Sequence, residues 1–316
     1  MNNFALIYRA FGSPSDCLRL ESVPFCAPGA GQIRVAMSLA PINPSDLIPI
    51  TGAYSNRITL PLVAGYEGVG RVVAAPQEHS HLLGQRVLPL CGAGTWQTHV
   101  DCDAILAVPV PEYIGDQVAA RGYINPLAAL TMLDTWPVKG KRVLLSGAGS
   151  TCADLLGHWA RLQGAEEVVG IYRSENRVER MSALGITPVS IDDQSRVLSA
   201  ARKADLTFDA LGGPIASLIL DTMRAGSVFI GYGLLTGQAV RPSRHPEADH
   251  KRFHLRHSIA TMSAEVWQHR FTTIWNLLSE TGLPDVQVFP FRSWQAALAE
   301  TVRPGAAKPM LNFGSG

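Results

Sequence analysis

A strand, a glycine turn, a helix and a second strand follow one another in residues 141–174, KRVLLSGAGSTCADLLGHWARLQGAEEVVGIYRS. Gly147 and Gly149 form the turn, and Ser150 and Thr151 are of the residue types that cap a helix. Small residues ahead of a helix N-terminus let the backbone approach a pyrophosphate, which the N–H groups and the helix dipole then bind. The stretch predicts a βαβ unit with a dinucleotide site. A tight turn without a ligand is the alternative.

The residues after the second strand indicate which cofactor is bound. Tyr172, Arg173 and Ser174 stand where an acidic residue would hold a ribose 2′-hydroxyl, and Arg177 follows one helical turn later. Arginine makes charge-assisted, often bidentate bonds to phosphate. We therefore expect NADPH rather than NADH, with a solvated arginine at a helix start as the alternative. Cys152 replaces the third glycine of the usual fingerprint.

Two sequence patterns divide the chain. In residues 1–118, short β-rich runs at 4–8, 33–39, 68–74, 86–90 and 104–108 alternate with turns rich in proline and glycine, which predicts an all-β domain. From residue 119, helices alternate with strands, which predicts a doubly wound parallel sheet. The tail returns to strand-like runs. The predicted domains are therefore 1–118 with 283–316, and 119–282.

Further strand ends of the predicted parallel sheet are expected to line the cofactor crevice, because ligands bind at the carboxyl ends of such strands. Gly212 lies at one such end, and Tyr232 and Gly233 lie at another. Residues 253–261 are predicted to form an edge strand, through which two copies would pair as a homodimer.

Composition excludes several classes of protein. The chain is 47% hydrophobic and 17% charged, which is typical of a globular protein. Its net charge of +1 argues against nucleic acid as a partner. The chain contains no apolar run of about eighteen residues, so we expect no membrane span, and its N-terminus lacks a secretory signal pattern. The five cysteines have no zinc or disulfide spacing, which favours a reduced, cytoplasmic setting.

Residues 42–54, INPSDLIPITGAY, and 62–70, LVAGYEGVG, resemble the medium-chain dehydrogenase/reductase superfamily. The sequence is most similar to the zinc-free 2-enoyl thioester reductases of the mitochondrial type within this superfamily, and the quinone oxidoreductases are a related group. The likeness continues through further motifs, at residues 94–96, 125–129, 172–173, 211–213 and 232–233. The resemblance implies an α/β architecture, in which a Rossmann domain is joined to a discontinuous GroES-like, β-rich catalytic domain. It also implies a homodimer.

The zinc alcohol dehydrogenases of this superfamily hold their metal with a histidine in a GHE segment. Here Tyr66 stands at that position, between Gly65 and Glu67, and the cysteine-rich structural lobe is absent. We therefore expect no catalytic metal.

The resemblance assigns three catalytic positions. Tyr54 matches the tyrosine whose phenol hydrogen-bonds the thioester carbonyl and stabilises the developing enolate. Asn43 matches a residue beside the nicotinamide and its ribose, and Trp96 matches a tryptophan of the cleft. Each has a structural alternative, namely a surface turn tyrosine, an Asn-Pro turn and a core tryptophan. Ser150 and Thr151 bind the pyrophosphate or only cap the helix.

The predicted function is NADPH-dependent reduction of an activated carbon–carbon double bond, with a trans-2-enoyl thioester of coenzyme A or acyl carrier protein as substrate. Quinone or enone reduction on the same scaffold, and NADPH binding without turnover, are the alternatives. A basic cluster is expected to attract the phosphate-bearing carrier of the substrate. The alternative is that its residues belong to a solvated loop without a ligand. Its members are Arg241, Arg244, Lys251, Arg252 and Arg256.

Overall fold

The computed structural model describes residues 2–303 and 305–314, which form two compact units. The first unit contains the chain up to Ile124 and again from Ser263, and the second is Asn125–Met262. The first unit is therefore discontinuous. Its division from the second lies six residues later than the sequence pattern placed it, and the return to the first unit comes twenty residues earlier.

The N-terminal part of the first unit is built mainly from short strands. They are β1 Asn3–Tyr8, β2 Leu18–Val23, β3 Gln32–Pro41, β4 Leu62–Val63, β5 Val69–Ala74, β6 Arg86–Leu88, β7 His99–Asp103 and β8 Val108–Pro109. The helices here are α1 Pro14–Cys17, α2 Pro44–Leu47 and α3 Asp116–Ala119, with 3₁₀ turns at Ser55–Arg57 and Gln77–Leu82. In β3, Ile33, Val35 and Met37 alternate inward, as a strand with one buried face requires.

The predicted strands at 4–8, 33–39, 68–74 and 86–90 are confirmed within a few residues. The predicted strand at 104–108 is wrong. The carboxylate of Asp103 accepts a hydrogen bond from the N–H of Ile105 at 2.8 Å, and this local turn ends β7. Strand character therefore falls on His99–Asp103 before the turn and on Val108–Pro109 after it.

The second unit is a six-stranded, fully parallel sheet. Its strands are β9 Arg142–Leu145, β10 Glu167–Tyr172, β11 Thr187–Ser190, β12 Leu206–Asp209, β13 Val228–Gly231 and β14 Asp249–Arg252. Their spatial order is β11-β10-β9-β12-β13-β14, the doubly wound order whose crevice opens where the winding reverses, between β9 and β12. The helices are α4 Ile124–Thr135, which begins at the end of the first unit, α5 Thr151–Leu162, α6 Val178–Ala183, α7 Gln194–Lys203, α8 Gly213–Thr222 and α9 Leu255–Ile259, with a 3₁₀ turn at Glu175–Arg177.

The predicted edge strand at 253–261 is wrong. The edge strand is β14, which pairs in parallel with β13 and exposes all four of its residues, Asp-His-Lys-Arg. Phe253 turns into the unit and packs its ring against Trp136, and α9 begins at Leu255. Strand β14 has neither a buried face nor an apolar side chain. Its sequence therefore shows no alternation of apolar and polar residues by which a strand could be predicted.

The C-terminal part returns to the first unit with α10 Ala264–Thr281, β15 Val286–Pro290, a 3₁₀ turn at Phe291–Ser293, α11 Trp294–Thr301 and β16 Lys308–Asn312. Strand β16 pairs with β3 in a seven-stranded sheet. Helix α10, which the sequence pattern assigned to the dinucleotide-binding domain, lies in the first unit. Its Trp267 packs against Tyr123 and donates to the carbonyl of Leu106 at 2.9 Å. Helical periodicity identifies an apolar face but not the domain that buries it.

Every helix in the described part of the chain is too short or too polar to cross a membrane.

Candidate active site

The glycine turn of the second unit is closely packed. Gly147 has a φ of +62°, and a Cβ at this position would lie 3.2 Å from the side chain of Leu211. Gly170 on β10 admits the turn from the other side, because a Cβ there would lie 2.8 Å from the Cβ of Ala148. The turn therefore sits against the ends of neighbouring strands at a distance that larger residues would not allow.

Helix α5 presents unused hydrogen-bond donors at its N-terminus. The hydroxyl of Ser150 accepts from the N–H of Ala153 at 3.3 Å and thereby caps the helix. Among residues 2–303 and 305–314, the N–H groups of Gly149 and Thr151 have no hydrogen-bond partner. Free donors at a twelve-residue helix N-terminus form an anion site, so the turn fits a pyrophosphate.

Cys152 occupies the third glycine position without obstructing the packing. Its side chain is buried, and its sulfur lies 3.9 Å from the carbonyl oxygen of Asn125. The close approach of helix to sheet occurs five residues later, at Gly157. A Cβ on Gly157 would lie 2.5 Å from Ile186 and 2.8 Å from Leu145. The third glycine of the fingerprint is therefore replaced in function by Gly157.

Tyr232 places its hydroxyl beside this helix N-terminus. The oxygen is buried and forms no well-aligned hydrogen bond in the described part of the chain, although the side chains of Ser150 and Cys152 lie beside it. Burial raises the pKa of Tyr232 well above its ordinary value, Cys152 and Asp209 raise it further, and Ser150 opposes them. A buried hydroxyl without a partner is costly unless a ligand satisfies it, so Tyr232 fits a site for a phosphate-bearing ligand.

The predicted cofactor glycines Gly212 and Gly233 lie on two loops that pack on each other. Gly212 has a φ of +67°, and a Cβ there would lie 2.4 Å from the carbonyl oxygen of Gln238. A Cβ on Gly233 would lie 2.6 Å from the carbonyl oxygen of Ala210. Buried Asp209 holds the first loop by accepting from the N–H of Gly212 at 2.9 Å. Both glycines therefore shape the end of the sheet through backbone packing.

The end of β10 presents the predicted cofactor-selecting residues. The half-buried Tyr172 donates its hydroxyl hydrogen to Glu175 at 3.0 Å, and Ser174 precedes the 3₁₀ turn. Arg173 is exposed. The side chain of Arg177 lies across Gly149, with its Cγ 3.1 Å from the position of a Cβ on that glycine. Of the two arginines, Arg177 therefore reaches the glycine turn itself.

Asn43 in the first unit is held from both ends of its amide. Its Nδ2 donates to Glu67 at 2.7 Å, and its Oδ1 accepts from the ammonium of Lys308 at 2.6 Å. Only 2% of Asn43 is exposed. The side chain therefore fixes the start of α2, and both polar atoms of its amide are hydrogen-bonded within the first unit. Lys308 lies 265 residues away in sequence, on β16.

Two buried carboxylates complete this network. Asp46 accepts from the backbone N–H of Asn43 at 2.7 Å and of Tyr66 at 2.9 Å. Burial raises the pKa of Asp46 to about 7, Glu67 adds to the rise, and the two N–H donors and Lys308 oppose it. Burial also raises the pKa of Glu67, against hydrogen bonds from the N–H of Ile124 and the amide of Asn43, and against the charge of Lys308.

Tyr54 lies at the end of the segment that this network anchors. It is half-buried, it precedes the 3₁₀ turn Ser55–Arg57, and the guanidinium of Arg57 lies 6.0 Å from its ring centroid. No residue in the described ranges 2–303 and 305–314 hydrogen-bonds its hydroxyl. Tyr54 therefore offers a partly exposed phenol whose O–H has no partner in the described chain.

Trp96 is fully buried in the core of the first unit, which is the structural alternative considered for it. Its indole N–H donates to the carbonyl of Pro41 at 3.2 Å. Gly65 makes room for the ring, since a Cβ there would lie 2.3 Å from it. The polar atom of Trp96 is thus satisfied within the core, and we leave this residue out of the proposed site.

The five members of the basic cluster are all exposed, and Lys251 lies 3.5 Å from Asp249 on the same strand. Within residues 2–303 and 305–314, no three histidine, cysteine, aspartate or glutamate side chains gather as a possible metal site. At the position of the zinc-binding histidine, Tyr66 donates its N–H to Asp46.

The comparisons with known proteins agree with this architecture. Residues 29–120 match the alcohol dehydrogenase GroES-like domain. The chain is 32% identical over 253 residues to a mitochondrial enoyl-acyl-carrier-protein reductase of Arabidopsis thaliana, with 76% of this chain and 67% of that protein covered. It is 31% identical to a Bacillus thuringiensis protein provisionally assigned as an NADPH:quinone reductase, with 99% of both chains covered and a TM-score of 0.91.

The chain belongs to the medium-chain dehydrogenase/reductase superfamily. A mutant enoyl thioester reductase from Candida tropicalis superposes with a TM-score of 0.82 over 99% of this chain and 100% of that one. Its 18% identity shows a shared fold alone. The predicted α/β architecture, with a GroES-like domain and a Rossmann sheet, is confirmed, and the chain is a member of an oxidoreductase family.

Sequence reasoning missed the partners of Asn43. Asp46 and Glu67 stand in the motifs that carried the family resemblance, yet neither motif indicates that they meet. Lys308 carries no local signal, because a lysine at the start of a strand is usually solvated. Arg177 was noticed for its charge but not for its contact with Gly149.

Replacing Lys308 is expected to destabilise the first unit in a pH-dependent way. A carboxyl whose pKa is raised by folding costs the native state free energy that builds up between the unfolded and the native pKa, and a neighbouring cation reduces this cost only at pH values near and above the native pKa, where the native carboxyl is ionised. Lys308 lowers this cost for Asp46, with its native pKa of about 7, and for Glu67. We expect Lys308→Met to lose about 1–3 kcal/mol at pH 8 and clearly less at pH 5.5.

Urea unfolding at the two pH values measures this difference. Lys141→Met, which removes an exposed lysine, is the control and is expected to change little at either pH. An equal loss for Lys308→Met at pH 5.5 and pH 8 would contradict the role assigned to its charge.

Proposed function

We propose that this protein uses NADPH to reduce an activated carbon–carbon double bond, and that its substrate is a trans-2-enoyl thioester carried on coenzyme A or acyl carrier protein. The observation that carries the proposal is the hydroxyl of Tyr54, which lacks a partner in the described chain and follows a segment anchored by a buried network. The relative from Arabidopsis thaliana, named an enoyl-acyl-carrier-protein reductase, supports the substrate class.

The chemistry needs a donor where negative charge develops. Addition of a hydride to Cβ of an enoyl thioester moves charge onto the carbonyl oxygen, and NADPH supplies that hydride when it is bound. The phenol of Tyr54 would donate a hydrogen bond to this oxygen and stabilise the enolate. The same hydroxyl, or a water that it holds, would then deliver a proton to Cα.

Asn43 has a positioning role in this proposal. Its amide is used by Glu67 and Lys308, so it orients the backbone that leads to Tyr54 and does not contact the substrate. The short helix α2 lies between the two residues, and Asp46 fixes its first turn. A donor that must meet an oxyanion needs a supporting structure of this kind, because small displacements reduce the stabilisation it gives.

The second unit carries the proposed cofactor site. The N–H groups of Gly149 and Thr151 would bind the pyrophosphate, with Gly147 and Ser150 shaping the turn. The hydroxyl of Tyr232 would donate to the same ligand. Gly212 and Gly233 would form the walls of the crevice, and Tyr172 and Ser174 would border the adenosine ribose beside Arg173 and Arg177.

Quinone reduction is the second candidate, and the Bacillus thuringiensis relative favours it because it is similar over 99% of both chains. A hydride acceptor of that kind does not require the phenol of Tyr54. A protein that binds NADPH without turnover is the third candidate, since a fold alone does not establish an activity. The cytoplasmic location stays a prediction, and the Arabidopsis thaliana relative is named as mitochondrial.

Tyr54→Phe separates the candidates. We expect the variant to lose about 10- to 1,000-fold in kcat with crotonyl and longer trans-2-enoyl thioesters, as removal of one oxyanion donor does. Reduction of a quinone should be unchanged. The measurement is NADPH oxidation with both acceptor classes.

The control is Tyr113→Phe in the same unit, where the hydroxyl is exposed and contacts only Asn276. Turnover of the quinone alone, with equal rates for wild type and Tyr54→Phe, would favour the quinone reductase. Absence of NADPH oxidation with every acceptor would favour the binding protein.

Arg173 and Arg177 are expected to select NADPH through its 2′-phosphate. Losing one charge-assisted bond should weaken NADPH binding about 10- to 100-fold in Arg173→Gln or Arg177→Gln, while NADH binding changes little. Fluorescence titration of each cofactor measures this without turnover. Because Arg177 lies across Gly149, equal losses for both cofactors in Arg177→Gln would indicate that it supports the turn instead.

We propose that two copies of the chain pair through β14, the strand that replaces the predicted edge at 253–261. Antiparallel pairing about a two-fold axis at the centre of the strand would place Asp249 opposite Arg252 of the partner subunit, twice in each dimer. These opposite charges support the pairing. Charged residues on an edge also serve to prevent pairing, which is the opposing explanation.

A charge exchange on β14 distinguishes these explanations. In Asp249→Arg, two pairs of like charges would face each other, which is expected to weaken the dimer about 2- to 30-fold. The double variant Asp249→Arg/Arg252→Asp should restore it. Sedimentation against the monomer mass of 34.0 kDa provides the measurement. A wild-type monomer, or a double variant as weak as the single one, would contradict the proposed pairing.

A further inference from the structure

Residues 232–238, which we call the leucine loop, follow β13 and present two adjacent leucines to solvent. Leu234 is 48% exposed and Leu235 is 51% exposed. Residues 125–262 are all described by the structure, and Leu162 is the one other exposed large apolar side chain among them. Single exposed leucines are ordinary on protein surfaces, whereas neighbouring ones form an apolar patch that a ligand or partner can cover.

The backbone of the leucine loop is fixed by hydrogen bonds to the loop that follows β12. The N–H of Leu235 donates to the carbonyl of Ala210 at 3.0 Å. In the other direction, the N–H of Gly213 donates to the carbonyl of Gln238 at 2.8 Å. Burying the two leucines in the core would break these bonds, so their exposure is a property of the folded loop.

Several polar groups of the leucine loop are already bonded within the second unit. The hydroxyl of Thr236 donates to the carbonyl of Leu211 at 2.8 Å and accepts from the N–H of Gln238 at 3.3 Å. The N–H of Gly237 donates to the carbonyl of Leu234 at 2.9 Å, which closes a turn. At its two leucines the loop therefore offers a ligand mainly apolar contact.

The leucine loop lies on the half of the sheet that is expected to bind the nicotinamide. A sheet of this order has two mononucleotide-binding halves, β9–β11 and β12–β14, and a dinucleotide crosses between them. Arg173, a proposed ligand of the adenosine ribose phosphate, follows β10 and belongs to the first half. The nicotinamide would therefore lie over the ends of β12 and β13. Leu234 borders this region, because its Cδ1 lies 2.8 Å from the position of a Cβ on Gly212.

We propose that the leucine loop binds the apolar acyl tail of the substrate, and that the protein therefore prefers thioesters with several methylenes beyond the reacting carbons. This inference rests on the proposed function. The carbon that accepts the hydride must lie within about 3.5 Å of the nicotinamide, so the tail attached to that carbon starts beside the leucine loop. Each methylene that leaves water on binding tightens it about fourfold.

Saturated thioesters test this preference without turnover, because they have no double bond to accept a hydride. The protein, saturated with NADPH, is titrated calorimetrically with butanoyl-coenzyme A and octanoyl-coenzyme A. We expect the octanoyl ester to bind at least tenfold more tightly, since it adds four methylenes. Equal binding of the two esters, or binding of neither, would overturn the proposal. Failure to oxidise NADPH with any enoyl thioester, alongside an octanoyl preference, would contradict the proposed function alone.

Variants of the leucine loop locate the tail. Leu234→Ser and Leu235→Ser should each reduce the octanoyl preference about three- to tenfold and leave butanoyl binding unchanged. Leu235→Met keeps an apolar side chain and should retain the preference. Leu162→Ser, exposed in the same unit at the C-terminal end of α5, is the matched control and should bind as wild type does. An equal reduction in Leu162→Ser would overturn the assignment.

Two other occupants of the leucine loop would give different results in Leu234→Ser/Leu235→Ser. If the leucines cover the nicotinamide, fluorescence titration would show NADPH binding weakened as much as octanoyl binding. If they contact a second copy of the chain, the sedimenting mass would fall while the octanoyl preference remained. Either result would overturn the proposal. The expected result is loss of the octanoyl preference with unchanged NADPH binding and unchanged mass.

Discussion

The first unit depends on one bridge of buried hydrogen bonds, from Lys308 through the amide of Asn43 to Glu67. A buried carboxylate is costly unless donors and a cation compensate it. The carboxylate of Glu67 accepts hydrogen bonds from the amide of Asn43 and from the backbone N–H of Ile124. The ammonium of Lys308, which binds the other end of the same amide, supplies the positive charge. The bridge joins three distant segments of the chain. Its central residue, Asn43, is also the first residue of the segment that leads through α2 to Tyr54. The precision of that segment is therefore set by electrostatics within the core.

The second unit instead depends on glycines at its closest backbone contacts. Gly147, Gly157 and Gly170 let turn, helix and strands approach more closely than a Cβ would permit. Gly212 and Gly233 do the same for the loops at the ends of β12 and β13. Backbone donors thereby remain uncovered at the N-terminus of α5, where the only nearby polar side chain with a buried, unsatisfied oxygen in the described chain is Tyr232. Hydrogen bonds between side chains thus fix the residues of the first unit, whereas glycines keep backbone N–H groups accessible in the second.

What the sequence predicts well is local. The βαβ unit at 141–174, its turn and most strands were predictable because alternation and glycine placement depend on neighbours in the chain. The cluster around Asn43 was not, because Lys308 and Asn43 meet across 265 residues. The edge strand was misplaced because Asp249–Arg252 pairs by its backbone alone. Trp96 was assigned by resemblance, and only packing against Gly65 and Pro41 shows that it belongs to the core.

Tyr54, Arg173 and Arg177 occupy an intermediate position. Their residue types and places in the chain already indicated a proton donor and two phosphate ligands, and these roles remain proposals. What the structure adds is physical detail, such as the open hydroxyl of Tyr54 and the contact of Arg177 with Gly149. A sequence records which groups are present, whereas burial decides which of them have donors or acceptors left to offer.

The discontinuity of the first unit has a consequence for how the chain is made. Strand β16 carries Lys308 and joins β3 in the seven-stranded sheet, yet in the chain it follows the whole of the second unit. Domains generally fold as units during synthesis. The second unit is complete once Met262 has emerged, whereas Asn43 and Glu67 obtain their cation only when the later part of the first unit has also been synthesised. The second unit is thus completed before the first, although the first unit begins earlier in the chain.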